Sequence, residues 1–194
     1  MELVPAILAS LGVAGTAIFH KAILDFLAGV YARISLRDPP RPNPGQVASR
    51  RRAILSRHGL GDGEIGRSRI YCALMDWHVE GNVATLAAFD DGRVELYSTH
   101  GGGMTDGGRY AGVRDTARSF LEVMGSSQEL SFPARGMRLP RRGRAIFWLV
   151  TRESTRTSGP VVVEDLESRT SSWAGAWERA LSTLAELGEL REPN

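Results

Sequence analysis

Between Ile70 and Thr99 the chain writes three consecutive strands joined by short turns, and this meander constrains the fold more than any other segment. Ile70 to Val79 is a nearly continuous apolar run, as a strand buried on both faces requires. Glu80-Gly81-Asn82 turns it, Val83 to Phe89 returns, and Asp90-Asp91-Gly92 supplies a tight hairpin turn. Arg93 to Thr99 then alternates, with Val94 and Leu96 on one side and Arg93, Glu95 and Tyr97 on the other. That is the pattern of a half-solvated strand.

The elements that follow are helices and strands in mixed order. Tyr110, Val113, Ala117, Phe120, Leu121 and Met124 share one face at a period of 3.6, so a helix is expected there, ending near Gly125. Arg144 to Arg152 encloses Ala-Ile-Phe-Trp-Leu-Val and reads as a fourth strand, entered through the Pro140-Arg-Arg-Gly143 turn. Thr157-Ser-Gly-Pro160 has turn composition and introduces a fifth strand over Val161 to Leu166. Ser172 to Leu190, with Trp173, Trp177, Leu181, Leu184 and Leu187, is an amphipathic helix. The expected fold class is α+β: an antiparallel five-stranded sheet, β-β-β-α-β-β-α, with helices on one face, preceded by a long apolar N-terminal helix.

Three regions follow: 1–36, an apolar helix; 37–66, a Pro/Arg-rich linker with a short helix; and 67–194, the α+β domain. Residues Leu3 to Phe19 carry no charged side chain. Seventeen helical residues span about 25 Å, just short of a ~30 Å hydrocarbon core. Ala6, Ser10 and Ala14 recur every four residues, a spacing that lets helices approach closely in lipid and suits a homo-oligomer. A second stretch, Ile23 to Ile34, extends the apolar character, with Lys21 and Asp25 placed to pair. A soluble packing helix and a cleaved signal peptide compete with a membrane helix. The signal peptide lacks its basic n-region, because only Met1 and Glu2 precede the run.

Asp38-Pro-Pro-Arg-Pro-Asn-Pro-Gly45 cannot propagate a helix and favours an extended spacer. Its end suits a new helix start, with Asn43 as N-cap and Pro44 as first helical residue. That short helix is expected to run through Val47, Arg51, Ile54 and Leu55 towards Gly59, followed by a Gly-rich loop to Gly66.

Charge places the segments relative to a bilayer. The chain carries only +2 overall, too little for a dedicated nucleic-acid binder. From Arg33 to Arg69, however, nine arginines face three acids, a surplus of six directly after the apolar region. Arg50, Arg51 and Arg52 are the densest part and suit anionic lipid, against the plainer reading of a solvated helix face. Positive charge on that side of a spanning helix would put the domain in the cytoplasm. A single cysteine, Cys72, excludes an intrachain disulfide and reads as a small core residue.

Two constellations are candidates for chemistry. Gly101, Gly102, Gly103, Thr105, Asp106, Gly107 and Gly108 form a loop leading into a helix N-terminus, where unobstructed N–H groups favour anions. It lacks the Gly-Lys-Ser/Thr ending of a phosphate-binding loop and the parallel context of a dinucleotide fingerprint. A plain strand-to-helix connection is the competing reading. Asp76 and His78 share a strand face, and His100 could approach from the neighbouring strand end to form a general-base cluster. Scattered histidines are more often hydrogen-bonded surface side chains. No metal or cofactor is expected, and no His-Glu-x-x-His, Cys-x-x-Cys or Gly-x-Ser-x-Gly motif occurs. The function expected is that of a membrane-associated protein whose cytoplasmic domain binds another protein without catalysis. The alternative is a small enzyme or ligand-binding domain built on the glycine loop with Asp76, His78 and His100.

Overall fold

A computed structural model describes residues 44–56, 70–79 and 81–189. The helix expected over residues 1–36, residues 38–43 of the proline linker and the Gly59–Gly66 loop lie outside the described residues. Among those described, no helix is long and apolar enough to cross a membrane.

The fold is α+β, built on one antiparallel sheet. Helix α1 (Pro44–Leu55) leads to β1 (Ile70–Val79), β2 (Asn82–Phe89), β3 (Val94–Ser98) and β4 (Gly103–Met104). Helix α2 (Ala111–Ser126) follows, then β5 (Phe132–Pro133), β6 (Arg144–Thr151), β7 (Thr155–Val162), the short α3 (Val163–Glu167) and α4 (Ala174–Glu189). The sheet has seven strands in the order β4-β3-β2-β1-β6-β7-β5. β1 sits at its centre, as its unbroken apolar run demands, and Cys72 to Trp77 are all buried.

Strand pairing sorts the side chains onto two faces. Met75, Leu86, Leu96 and Phe147 line one face, under Phe120 and Met124 of α2 and Trp177, Leu184 and Leu187 of α4. Trp173 stacks on Phe147, with ring centroids 5.4 Å apart and planes within 8°. Leu74, Ala87, Phe89, Trp148 and Val150 line the other face, under Val47, Ile54 and Leu55 of α1. Each fully buried Leu or Phe contributes roughly 1.5–3 kcal/mol, so the two cores together hold the sheet.

Four expectations are corrected. The sheet has seven strands rather than five, because Gly103–Met104, in the segment read as a glycine loop, and Phe132–Pro133, given no element from the sequence, add two-residue edges to β3 and β7. Helices cover both faces rather than one. Val47, Arg51, Ile54 and Leu55 of α1, through which the short helix was expected to run, are buried on the second face of the sheet. In consequence β3 is not half-solvated: Glu95 and Tyr97 are buried beneath α1. Lastly, Thr157 to Pro160 is not a turn. The hairpin closes earlier, at Thr151, whose hydroxyl accepts the N–H groups of Glu153 and Ser154, and β7 runs straight through. A register shift opposite β6 between Ile146 and Trp148, with Gly159 at φ +67°, absorbs the turn-forming residues, and Val163 to Glu167 becomes helix.

Candidate functional site

The α1-covered face carries charge where a core is normally apolar. Asp76, central in β1, is fully buried. Arg51 of α1 reaches it twice, with Nε 3.0 Å and Nη2 2.6 Å from Oδ2. Trp148 Nε1 donates to Oδ2 at 2.7 Å and the Thr85 hydroxyl to Oδ1 at 2.5 Å. The guanidinium also lies 5.2 Å from the Trp148 ring centroid, and its Nη1 donates to the Met137 carbonyl at 2.8 Å. One residue earlier in α1, Arg50 grips the buried Glu95 with Nε at 2.6 Å and Nη2 at 2.5 Å, and this bond raises the Arg50 pKa. Two adjacent arginines on α1 thus bind two carboxylates on β1 and β3. A helix docked this way is fixed in register, because each fork fits one acceptor pair.

Tyr97, buried beside these charges, has a hydroxyl with no hydrogen-bond partner. Burial, then the Asp76 and Glu95 charges, push its pKa well above the ordinary 10.0, and burial raises Cys72 well above 9.0. The folded chain therefore keeps protons that the unfolded chain releases. Stability is full below those ordinary values and falls as pH rises through them, by roughly 1.4 kcal/mol per pH unit for each group. Tyr97→Phe is expected to stabilise the domain by about 1 kcal/mol at neutral pH, by removing an unmet hydroxyl, and to flatten the loss above pH 10. Urea melts across that range check both effects, and a variant less stable than the parent would show that the hydroxyl is satisfied.

The other expected site residues do not assemble with this layer. His78 follows Asp76 on the same face but pairs across to Val83, and His100 is exposed in the turn after β3. Among the described residues no hydrogen bond joins the side chains of Asp76, His78 and His100, and no group of three His, Cys, Asp or Glu could hold a metal. The main chain at His100 belongs instead to a polar knot, donating to Ser98 Oγ at 3.2 Å, while Thr99 Oγ1 donates to Asn82 Oδ1 at 2.5 Å.

The glycine loop is shaped by contacts with its own fold. Gly101, Gly102 and Gly103 have φ of +91°, +84° and +144°, and Gly101 N–H donates back to the Ser98 carbonyl. A Cβ at Gly103 would stand 2.1 Å from the Leu96 carbonyl oxygen, and one at Gly108 2.1 Å from that of Gly92. Gly107 lies against Leu187. Thr105 and Asp106 are exposed, and Asp106 pairs with Arg109 at 3.0 Å rather than capping a helix.

One feature escaped sequence reasoning. Leu130, Phe132, Met137 and Leu139 are exposed by 52, 51, 36 and 42%, and no other large apolar side chain is exposed among the described residues. All four lie within ten residues. Arg135, Arg138, Arg141, Arg142 and Arg144 are exposed beside them, and none of the five is ion-paired among the described residues. The detectable signal was charge: from Leu130 to Thr151 there are five arginines and no acid. Of the arginines expected at a lipid surface, Arg51 is instead committed to Asp76, Arg50 is shared between Glu95 and solvent, and Arg52 is exposed.

No protein-family model, curated protein or solved structure matches this chain.

Proposed function

We propose that the chain is a non-catalytic, membrane-associated interaction module, with its apolar residues 3–36 at the membrane and its α+β domain on the cytoplasmic side. The observation that carries this reading is the gathering of every exposed large apolar side chain of the described domain into one arginine-rich strip, Leu130 to Leu139. An exposed apolar patch with charge at its margin is the mark of an interaction surface. The buried carboxylates Asp76 and Glu95 serve in holding α1 to the sheet. The uncharged run Leu3 to Phe19 and the six surplus positive charges after it support the membrane side and the orientation.

Full-length protein is expected to remain in the membrane pellet after alkaline carbonate washing, which strips proteins held only at the surface. A reporter phosphatase fused after Asn194 is expected to be inactive, as a cytoplasmic terminus requires. Release into the carbonate supernatant would refute the anchor, and periplasmic phosphatase activity would refute the orientation.

A further inference from the structure

We infer that the Leu130–Arg142 strip is a contact surface for a bilayer bearing anionic lipid headgroups, so that the domain itself, and not only its N-terminal segment, meets the membrane. The inference rests on the membrane-associated reading and names the partner of its strip. The backbone here is held at several points. Arg156 Nε donates to Ser131 Oγ at 2.8 Å, Ala134 N–H to the Thr155 carbonyl at 2.9 Å, and Arg51 to the Met137 carbonyl. Pro140 is buried. Between these points Phe132, Met137 and Leu139 stand exposed among Arg135, Arg138, Arg141 and Arg142. A surface fixed before binding loses little entropy when it binds.

The chemistry selects the occupant. Apolar side chains interleaved with arginines match the boundary where acyl chains meet phosphate groups, since arginine stems can lie along apolar matter while their heads reach the anions. Single-stranded nucleic acid would call for aromatic platforms, and the strip has one aromatic residue, Phe132. Each arginine near an anionic surface is worth about fivefold in affinity, and tethering by a nearby anchor raises the effective concentration of the weak contact.

The test uses the full chain carrying Leu139→Cys, labelled with a polarity-sensitive dye; Cys72 is fully buried, so labelling is selective. The probes are phosphatidylcholine vesicles with and without phosphatidylglycerol. A blue shift is expected only with phosphatidylglycerol, weakened by salt. Its half-maximal lipid concentration should rise at least tenfold in Arg135→Gln/Arg138→Gln/Arg141→Gln/Arg142→Gln. The same dye at Arg118→Cys, exposed on α2 across the sheet, should stay in water. Co-sedimentation with both vesicle types without a shift at residue 139 would overturn the inference while leaving the N-terminal anchor standing. Absence of both sedimentation and shift would overturn both. A shift already present without vesicles, or produced by single-stranded DNA instead, would equally overturn the lipid assignment. Should the quadruple variant fold poorly, the comparison of lipid compositions with the parent chain still decides.

Discussion

Arg51→Ala is expected to lower stability by about 3–5 kcal/mol, because it leaves the Asp76 carboxylate buried without its counter-charge. Trp148 and Thr85 still donate to that carboxylate, at 2.7 and 2.5 Å, so part of its need is met. Their dipoles do not replace a cation in a site with no access to water. Against a typical total of about 5–15 kcal/mol, the loss takes much of the stability and should drop the melting temperature by roughly 10 °C or more. Arg51→Lys should recover only part of this. An ammonium cannot reach both Asp76 oxygens and the Met137 carbonyl in one plane. The decisive comparison is the double variant Arg51→Met/Asp76→Asn. Its amide oxygen still accepts from Trp148, no charge is left buried without a partner, and it should be more stable than Arg51→Ala. Equilibrium denaturation of the set checks the ordering. Equal losses in the single and double variants would mean that Arg51 contributes packing rather than charge compensation.

Gly103→Ala is expected to cost about 3 kcal/mol, through two separable causes. Its φ of +144° is strained for any residue with a side chain, and its Cβ would meet the Leu96 carbonyl oxygen at 2.1 Å and Tyr97 Cα at 2.7 Å. Two other glycines isolate the causes. Gly143, at φ +70° with open space around it, carries only the backbone cost, so Gly143→Ala should lose about 1 kcal/mol. Gly108 has no positive φ but would place its Cβ 2.1 Å from the Gly92 carbonyl oxygen, so Gly108→Ala tests the clash alone. Its loss should fall between the other two. Millimolar phosphate should leave the melting temperature of all four proteins unchanged, since the loop's glycines are accounted for by positive φ and close chain approach. A phosphate-dependent rise in the parent that Gly103→Ala lacks would move the loop to a binding role.

Much of the architecture was legible in residue order, for a local reason. β1 to β3, α2, β6 and α4 declare themselves through side-chain periods of 2 and 3.6, which neighbours within one turn or one pleat enforce. The burial of the α1 stripe, Arg51 included, was not legible, but a short helix through Val47 to Leu55 was readable. So was the burial of β1 on both faces, which already implied a cover for the second face. What covers it was not legible. The partners of the charge layer stand far apart in the chain: Arg51 and Asp76 by 25 residues, Arg50 and Glu95 by 45, Trp148 and Asp76 by 72. Only the sheet order, with β6 beside β1 and α1 laid across them, brings those groups together. The same order turned Glu95 and Tyr97 from solvent to interior and made a strand of Thr157-Ser-Gly-Pro160, because β6 offered open backbone groups for pairing and a bulge could absorb the misfit. The exposed strip is the converse case. Its arginines stand in plain sequence, but the apolar side chains between them could be known as exposed only once both cores were filled without them. Residue order therefore determined the elements and most of their inward stripes, while tertiary structure decided which stripes meet, which charges are buried together, and which apolar residues stay exposed.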